Sequence, residues 1–327
     1  MEPHDYLETA VERTPMSGHV GKSGATLERL VLADGRRLVV KRSSPDTDLL
    51  MALSGDSFGR EYLMWSSGVL DQLPPAVGHT IVDGWQDGDV TVLVMRDLGD
   101  AVLSWDDRLS REQCRRLFAA VGSMYDGFLG RVPSSLTPLT TLVGMFTPDR
   151  VRPHAGGDNP LPGLVLRGWD LFPGMVPPDV AEPVLRLLAQ PGPLVEALQA
   201  RPCTLVHGDL ATVNMAFEKE RLTLLDWSMP AEAPAALDLA RFLAGCASVV
   251  DATREQVIED FRELVEAGRD EPALRLALLA GLLWLGWNKA LDAAEHEDPA
   301  IRARERADLD WWADEARRTL AAGLLTA

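Results

Sequence analysis

The sequence predicts an α+β chain in two parts, a small antiparallel-sheet N-terminal part and a mainly helical C-terminal part. Two hairpin signals enclose one helical stripe before residue 98, an amphipathic helical pattern follows, and three more helical patterns fill the last third. A length of 327 residues suits two such parts, each with its own core.

The elements follow in order. Leu27–Leu32 and Arg37–Lys41 are short runs rich in valine and leucine, and Asp34-Gly35 between them is a hairpin turn signal. Ser57–Leu70 carries apolar residues at Phe58, Tyr62, Leu63, Trp65 and Leu70, a helical stripe ending near Gly68. A second hairpin joins Thr80–Trp85 to Val90–Met95 across Asp87-Gly88-Asp89. The pattern breaks at Asp97-Leu98-Gly99-Asp100, which places a boundary between 1–97 and 98–327, with a hinge near 94–99.

Beyond the boundary, Arg111–Leu129 sets Leu117, Val121, Met124, Tyr125 and Phe128 on one side of a helix and Arg111, Arg115 and Arg116 on the other. Pro133 to Pro178 holds 9 of the 22 prolines and predicts a long irregular excursion, open between a lid, a substrate-binding element and a disordered insertion. Helices are predicted over Thr253–Ala267, Pro272–Ala294 and Pro299–Leu325, the last opened by Asp298-Pro299 as N-cap and first-turn residue.

Composition excludes several classes. Against 32 basic residues stand 49 acidic ones, a net charge of −17 without any basic block, which argues against nucleic acid and anionic membrane surfaces as partners. The longest apolar run, Leu276 to Trp287, falls short of the roughly 20 residues a membrane span needs. Met1 to Thr14 lacks a basic start and apolar core, and Cys114, Cys203 and Cys246 are odd in number and widely spaced; the expectation is a soluble, cytoplasmic protein in a reducing compartment.

The chemistry concentrates in His207-Gly208-Asp209, followed after four residues by Asn214 and later by Leu224-Leu225-Asp226-Trp227. Short apolar runs precede both clusters, so the polar residues belong at strand ends and in the loop between them. Two carboxylates and a carboxamide so held can bind a hard cation through oxygen and leave one carboxylate to handle a proton. Phosphoryl transfer from a nucleotide needs that set. Asp209 alone is an ordinary turn aspartate and Asp226 an ordinary strand-end cap; their joint order and spacing are what point to chemistry.

The kinase form of this motif is H-R-D, four residues, Asn, then D-F-G. His207-Gly208-Asp209, Asn214 and Asp226-Trp227-Ser228 replace it at compatible spacing, and the chain resembles the aminoglycoside phosphotransferase family, small-molecule kinases with the bilobal protein-kinase-like fold. The resemblance implies Asp209 as catalytic base and Asn214 and Asp226 as magnesium ligands. It also implies Lys41, closing Leu38-Val39-Val40-Lys41, as the lysine on the donor's α- and β-phosphates, with Glu61 as the ion-pair partner that holds it. Only four lysines occur in the chain, Lys22, Lys41, Lys219 and Lys289, which sharpens the interest of one inside a strand.

Gly18 to Ala25, including Gly21 and Ser23, resembles the family's phosphate-covering loop. A Walker A reading of Gly21-Lys22-Ser23 fails because Met16 stands where that motif needs glycine. Val92 to Leu98 resembles the hinge strand, implying backbone contact with the purine near Arg96 and Leu98. Asp238 in Ala236-Leu237-Asp238-Leu239-Ala240 resembles the element supporting the catalytic loop. The chain departs from the family at Ala211-Thr212-Val213, where many relatives have H-P-G.

The implied activity is transfer of the γ-phosphoryl group of ATP or GTP, with Mg2+, to a hydroxyl of a small molecule, antibiotics of the aminoglycoside, peptide or nucleoside kind being candidates. The family's acceptor pocket lies between the catalytic loop and the C-terminal helices. Trp284, Trp287, Trp311 and Trp312, with Glu295, Glu297, Asp298, Asp310 and Asp314 near in sequence, suit a cationic acceptor, although the spacing of Trp284 and Trp287 fits a helix core better. A nucleotide-binding pseudokinase is the alternative. A protein kinase is disfavoured by H-G-D in place of H-R-D and by the short interval from Asp226 to Asp238.

Overall fold

A computed structural model describes residues 5–16, 23–134, 136–219 and 221–325, and the chain divides into two compact units. One runs up to Ser104 and takes in Thr212–Met229; the other holds Trp105–Ala211 and the chain from Pro230 onward. The division differs from the sequence reading at 97/98 because a later hairpin returns to the first unit.

In the first unit, α1 (Asp5–Thr9) and β1 (Ala10–Pro15) precede β2 (Thr26–Leu32) and β3 (Arg37–Ser43). Helices α2 (Leu49–Ser54) and α3 (Arg60–Ser66), then β4 (Val77–Gly78), β5 (Ile81–Asp87) and β6 (Val90–Arg96), complete its leading segment. The main sheet is antiparallel, in the order β1-β2-β3-β6-β5. Alternation along the strands sends Leu30, Leu32, Leu38, Val40, Val92 and Val94 into one buried cluster. Strands β8 (Met215–Glu218) and β9 (Arg221–Leu224) form a hairpin whose β9 lies parallel to β4, and that pairing draws 212–229 into this unit. The helix expected over Ser57–Leu70 is shorter: Gly59 takes a left-handed conformation before it, and a separate 3-10 turn covers Leu70–Gln72.

The second unit comprises α4 (Arg111–Phe128), α5 (Leu139–Val143), α6 (Pro148–Val151), α7 (Leu161–Met175), α8 (Pro178–Ala189), α9 (Gly192–Gln199) and the short strand β7 (Thr204–Val206). Strand β10 (Ala231–Ala233), which pairs with β7, leads into α10 (Ala236–Cys246), α11 (Arg254–Leu264), α12 (Glu271–Glu295) and α13 (Pro299–Ala321). The irregular excursion expected over 133–178 is mostly helical. Several of its prolines open helices, in the first turns of α6, α7 and α8, where the missing N–H has no partner to lose, while Pro173 stands inside α7.

The helix starts are chemically specified: Ser110 with Gln113 and Thr253 with Gln256 form capping boxes, and Asp270 and Asp298 cap α12 and α13. The apolar run 276–287 is the middle of α12, buried on nearly all sides among its neighbours. Among the described residues, no helix is long and apolar enough to cross a membrane.

One ion cluster ties α4 to α11. Asp260, 1% exposed, accepts from Arg111 Nε at 2.7 Å and Nη2 at 2.8 Å, and also pairs with Arg115. These guanidinium bonds, Arg111 foremost, hold its carboxyl below the usual range although burial acts the other way. A depressed pKa stabilises the fold above the unfolded value and loses that contribution as pH falls through the folded one. Asp260→Asn should therefore cost about 1–3 kcal/mol at neutral pH. The gap to the parent should close below about pH 4; urea unfolding at pH 7 and below pH 4 checks both, and a pH-independent gap would contradict the assignment.

Candidate active site

In the first unit the site starts from Lys41 on β3. Its register opposite Leu93 of β6 fixes the backbone at this point. Its Nζ donates to Glu61 Oε2 and to Asp226 Oδ1, 2.8 Å each, so the expected pairing with Glu61 is present with Asp226 as a second partner. Burial opposes the lysine's charge, but the carboxylates of Asp226 and Glu61 outweigh it and hold Lys41 protonated, above its ordinary range. Glu61 is 5% exposed near the start of α3, and its Oε1 accepts the Trp227 N–H at 3.2 Å. One carboxylate thus links the strand lysine to the Asp226-Trp227 segment.

Asp226 has φ +58°, in the left-handed region that non-glycine residues seldom occupy. Such strain persists where surrounding contacts over-determine it, and it frequently marks a functional position. Asn214 ends a 3-10 turn over Thr212–Asn214, and its carbonyl accepts the Leu225 N–H at 2.9 Å. That backbone bond sets the carboxamide residue beside the residue preceding Asp226. A carboxylate and a carboxamide from adjoining segments suit magnesium, which keeps several waters and takes one or two protein oxygens plus substrate phosphates.

Ser23 is placed beside Asp48: its carbonyl accepts the Leu49 N–H at 2.6 Å. Gly21 lies outside the described residues. At the end of β6, the Arg96 N–H donates to the Thr80 carbonyl at 2.8 Å, and its guanidinium forks onto Glu218 at 3.0 and 3.1 Å. The Leu98 carbonyl accepts from Ala101 at 3.2 Å as the chain enters a 3-10 turn.

In the second unit β7 delivers His207-Gly208-Asp209. Gly208 takes φ +82°, a turn that a side chain would strain. Asp238, fully buried on α10, accepts the His207 N–H at Oδ2 and the Gly208 N–H at Oδ1, 2.8 Å each, and the Tyr125 hydroxyl at 2.9 Å. Burial pushes its carboxyl up, but His207 and these three donors oppose that push. Asp209 accepts from Arg241 at Oδ1, with Nε and Nη2 both at 2.7 Å.

Sequence reasoning missed Arg241. The available signal was a lone guanidinium in Ala236–Cys246, a helix buried almost throughout.

The tryptophans and acidic residues proposed for the acceptor have other employment. Trp284, Trp287 and Trp312 are at most 4% exposed, core positions and not a cage. Trp311 Nε1 donates to Glu255 at 2.9 Å. Glu295 pairs with Arg167, Asp310 with Arg306 and Asp314 with Arg317, while Asp298 caps α13.

An antiparallel sheet carrying a clamped lysine, a returning hairpin with Asn214 and Asp226, and a mostly helical remainder constitute the protein-kinase-like α+β class. The profile of the phosphotransferase enzyme family, APH, matches residues 26–277, and the chain belongs to that family. It is a phosphotransferase with an alcohol group as acceptor.

Among solved structures, the chain is similar to an aminoglycoside phosphotransferase from Alicyclobacillus acidocaldarius, at 14% identity over 98% of this chain and 95% of the other, TM-score 0.50. It is also similar to the choline kinase LicA from Streptococcus pneumoniae, at 11% identity over 96% and 95%, TM-score 0.52. A choline/ethanolamine kinase family protein from Mesorhizobium loti aligns at 15% identity over 95% and 94%, TM-score 0.50. At these identities the likeness is one of fold. No curated protein matches the sequence.

Proposed function

We propose that the chain transfers the γ-phosphoryl group of ATP or GTP to a hydroxyl of a small molecule. The observation that carries this reading is the half-buried Lys41 clamped between Glu61 and Asp226, a fixed cation of the kind donor phosphates need. Asp209 orients the acceptor hydroxyl and takes its proton. Asn214 and Asp226 supply the oxygen ligands for magnesium, which when bound neutralises charge on the phosphates. Lys41 holds the donor's α- and β-phosphates, the loop through Gly21 and Ser23 covers them, and backbone groups near Arg96 and Leu98 receive the base.

An antibiotic, a choline-like amino alcohol and a nucleoside fit the reading as acceptors. Preference for a cationic one rests on the net charge of −17 alone, now that the tryptophans are core residues. The protein is placed in the cytoplasm, where nucleotide donor is abundant.

The test is ADP release from Mg-ATP and GDP release from Mg-GTP against kanamycin, streptomycin, erythromycin, choline and adenosine. Lys41→Met should lower kcat/KM for the donor by about 10²-fold, the order expected on removing one preorganised charge. Nucleotide binding without turnover on any acceptor or on water would favour the pseudokinase instead.

A further inference from the structure

We infer that Arg241 is the positioning residue for Asp209, and that Gly245 and Trp284 set its reach. The inference rests on the reading of Asp209 as the base. A structural arginine–carboxylate pair commonly forks, one donor to each oxygen. Here Nε and Nη2 converge on Oδ1 at 2.7 Å, so the grip fixes the rotation of the carboxylate.

The surroundings hold the guanidinium in that pose. Arg241 is 8% exposed, and its Cζ lies 5.8 Å from the centre of the Trp284 ring, a cation–π contact that compensates lost hydration. Its Nη1 is buried without a hydrogen-bond partner, which a pair serving stability alone has no reason to tolerate. Gly245, one helical turn on, explains the pose: a Cβ there would stand 2.5 Å from Nη1. With Trp284 on one side and Asp209 on the other, the guanidinium has no slack to yield to that atom. Gly245 is thus the space into which Nη1 fits when Nε and Nη2 reach Asp209.

The experiment compares Arg241→Ala, Arg241→Lys, Gly245→Ala and the double Arg241→Ala/Gly245→Ala, with Asp209→Asn as reference. ADP release from Mg-ATP is read with water alone and with the acceptor panel above. Arg241→Ala should lower kcat about 10²-fold while KM for Mg-ATP stays within about twofold, the pattern of a misplaced group and not of weakened donor binding. Arg241→Lys should recover part of the loss, and millimolar guanidinium chloride should partly rescue Arg241→Ala but not Asp209→Asn. Gly245→Ala should lower kcat about tenfold while the melting temperature changes little, since the helix propensity gained by alanine offsets part of the cost of displacing the guanidinium.

The double variant should be no slower than Arg241→Ala alone, because Gly245 acts through Arg241. If Arg241→Ala fails to fold, Gly245→Ala decides. Full turnover in Gly245→Ala, or additive losses in the double variant, would overturn the inference while an inactive Asp209→Asn left the base assignment standing. An active Asp209→Asn would remove that assignment first.

Discussion

Asp209→Asn is expected to lower turnover about 10³-fold, within the span general-base catalysis supplies. The substitution keeps shape and removes the negative charge, and with it both the capacity to take a proton and the ion pair with Arg241. Donor binding should change by less than about twofold, because Lys41, Glu61 and Asp226 are held to one another within the other compact unit. Steady-state ADP release and calorimetric titration of Mg-ATP separate the two quantities. Wild-type turnover in this variant would take Asp209 out of the reaction.

The second large effect belongs to Asp238. Three donors converge on its buried carboxylate, and asparagine offers one acceptor oxygen and one NH2 group. At least one backbone N–H of His207-Gly208 would then face another donor. The expected cost is about 3 kcal/mol of stability, since a buried donor is left facing another donor. Turnover should fall further than unfolding accounts for, because the left-handed turn at Gly208 that leads into Asp209 is anchored there. Urea midpoints and kcat measured where the variant remains folded distinguish the contributions; an unchanged midpoint would show that Asp238 does not anchor the turn.

Much of this arrangement was legible in the sequence for identifiable reasons. The hairpin turns at Asp34-Gly35 and Asp87-Gly88 carry their own conformational preference, and both lie in the sheet as read. Lys41 and Glu61 were legible because a strand lysine is conspicuous in a chain of arginines. Strand β1 escaped notice because it is an exposed edge strand whose burial does not alternate. The stretch 133–178 was misread because its prolines signal irregularity unless they are known to sit in first turns. Its helix α7 is stabilised from outside: Trp169 Nε1 donates to the Phe146 carbonyl at 2.8 Å, and Gly168 lies against the Trp287 carbonyl of α12. Arg241 escaped for the same reason, since its meaning depends on Asp209 and Trp284, which only the fold brings to it.

The returning hairpin bears on the order in which the chain can fold. Lys41 and Asp226 are 185 residues apart, so the first unit leaves the ribosome with its buried ammonium holding one counter-charge instead of two. Strand β4 likewise waits for β9. Domains commonly fold as they emerge, N-terminal first; this one is completed only after the leading part of the other, Trp105–Ala211, has been synthesised. A cut at residue 104 therefore leaves the first unit incomplete, and Lys41 acquires its full charge environment only when the segment proposed to ligate the metal has arrived.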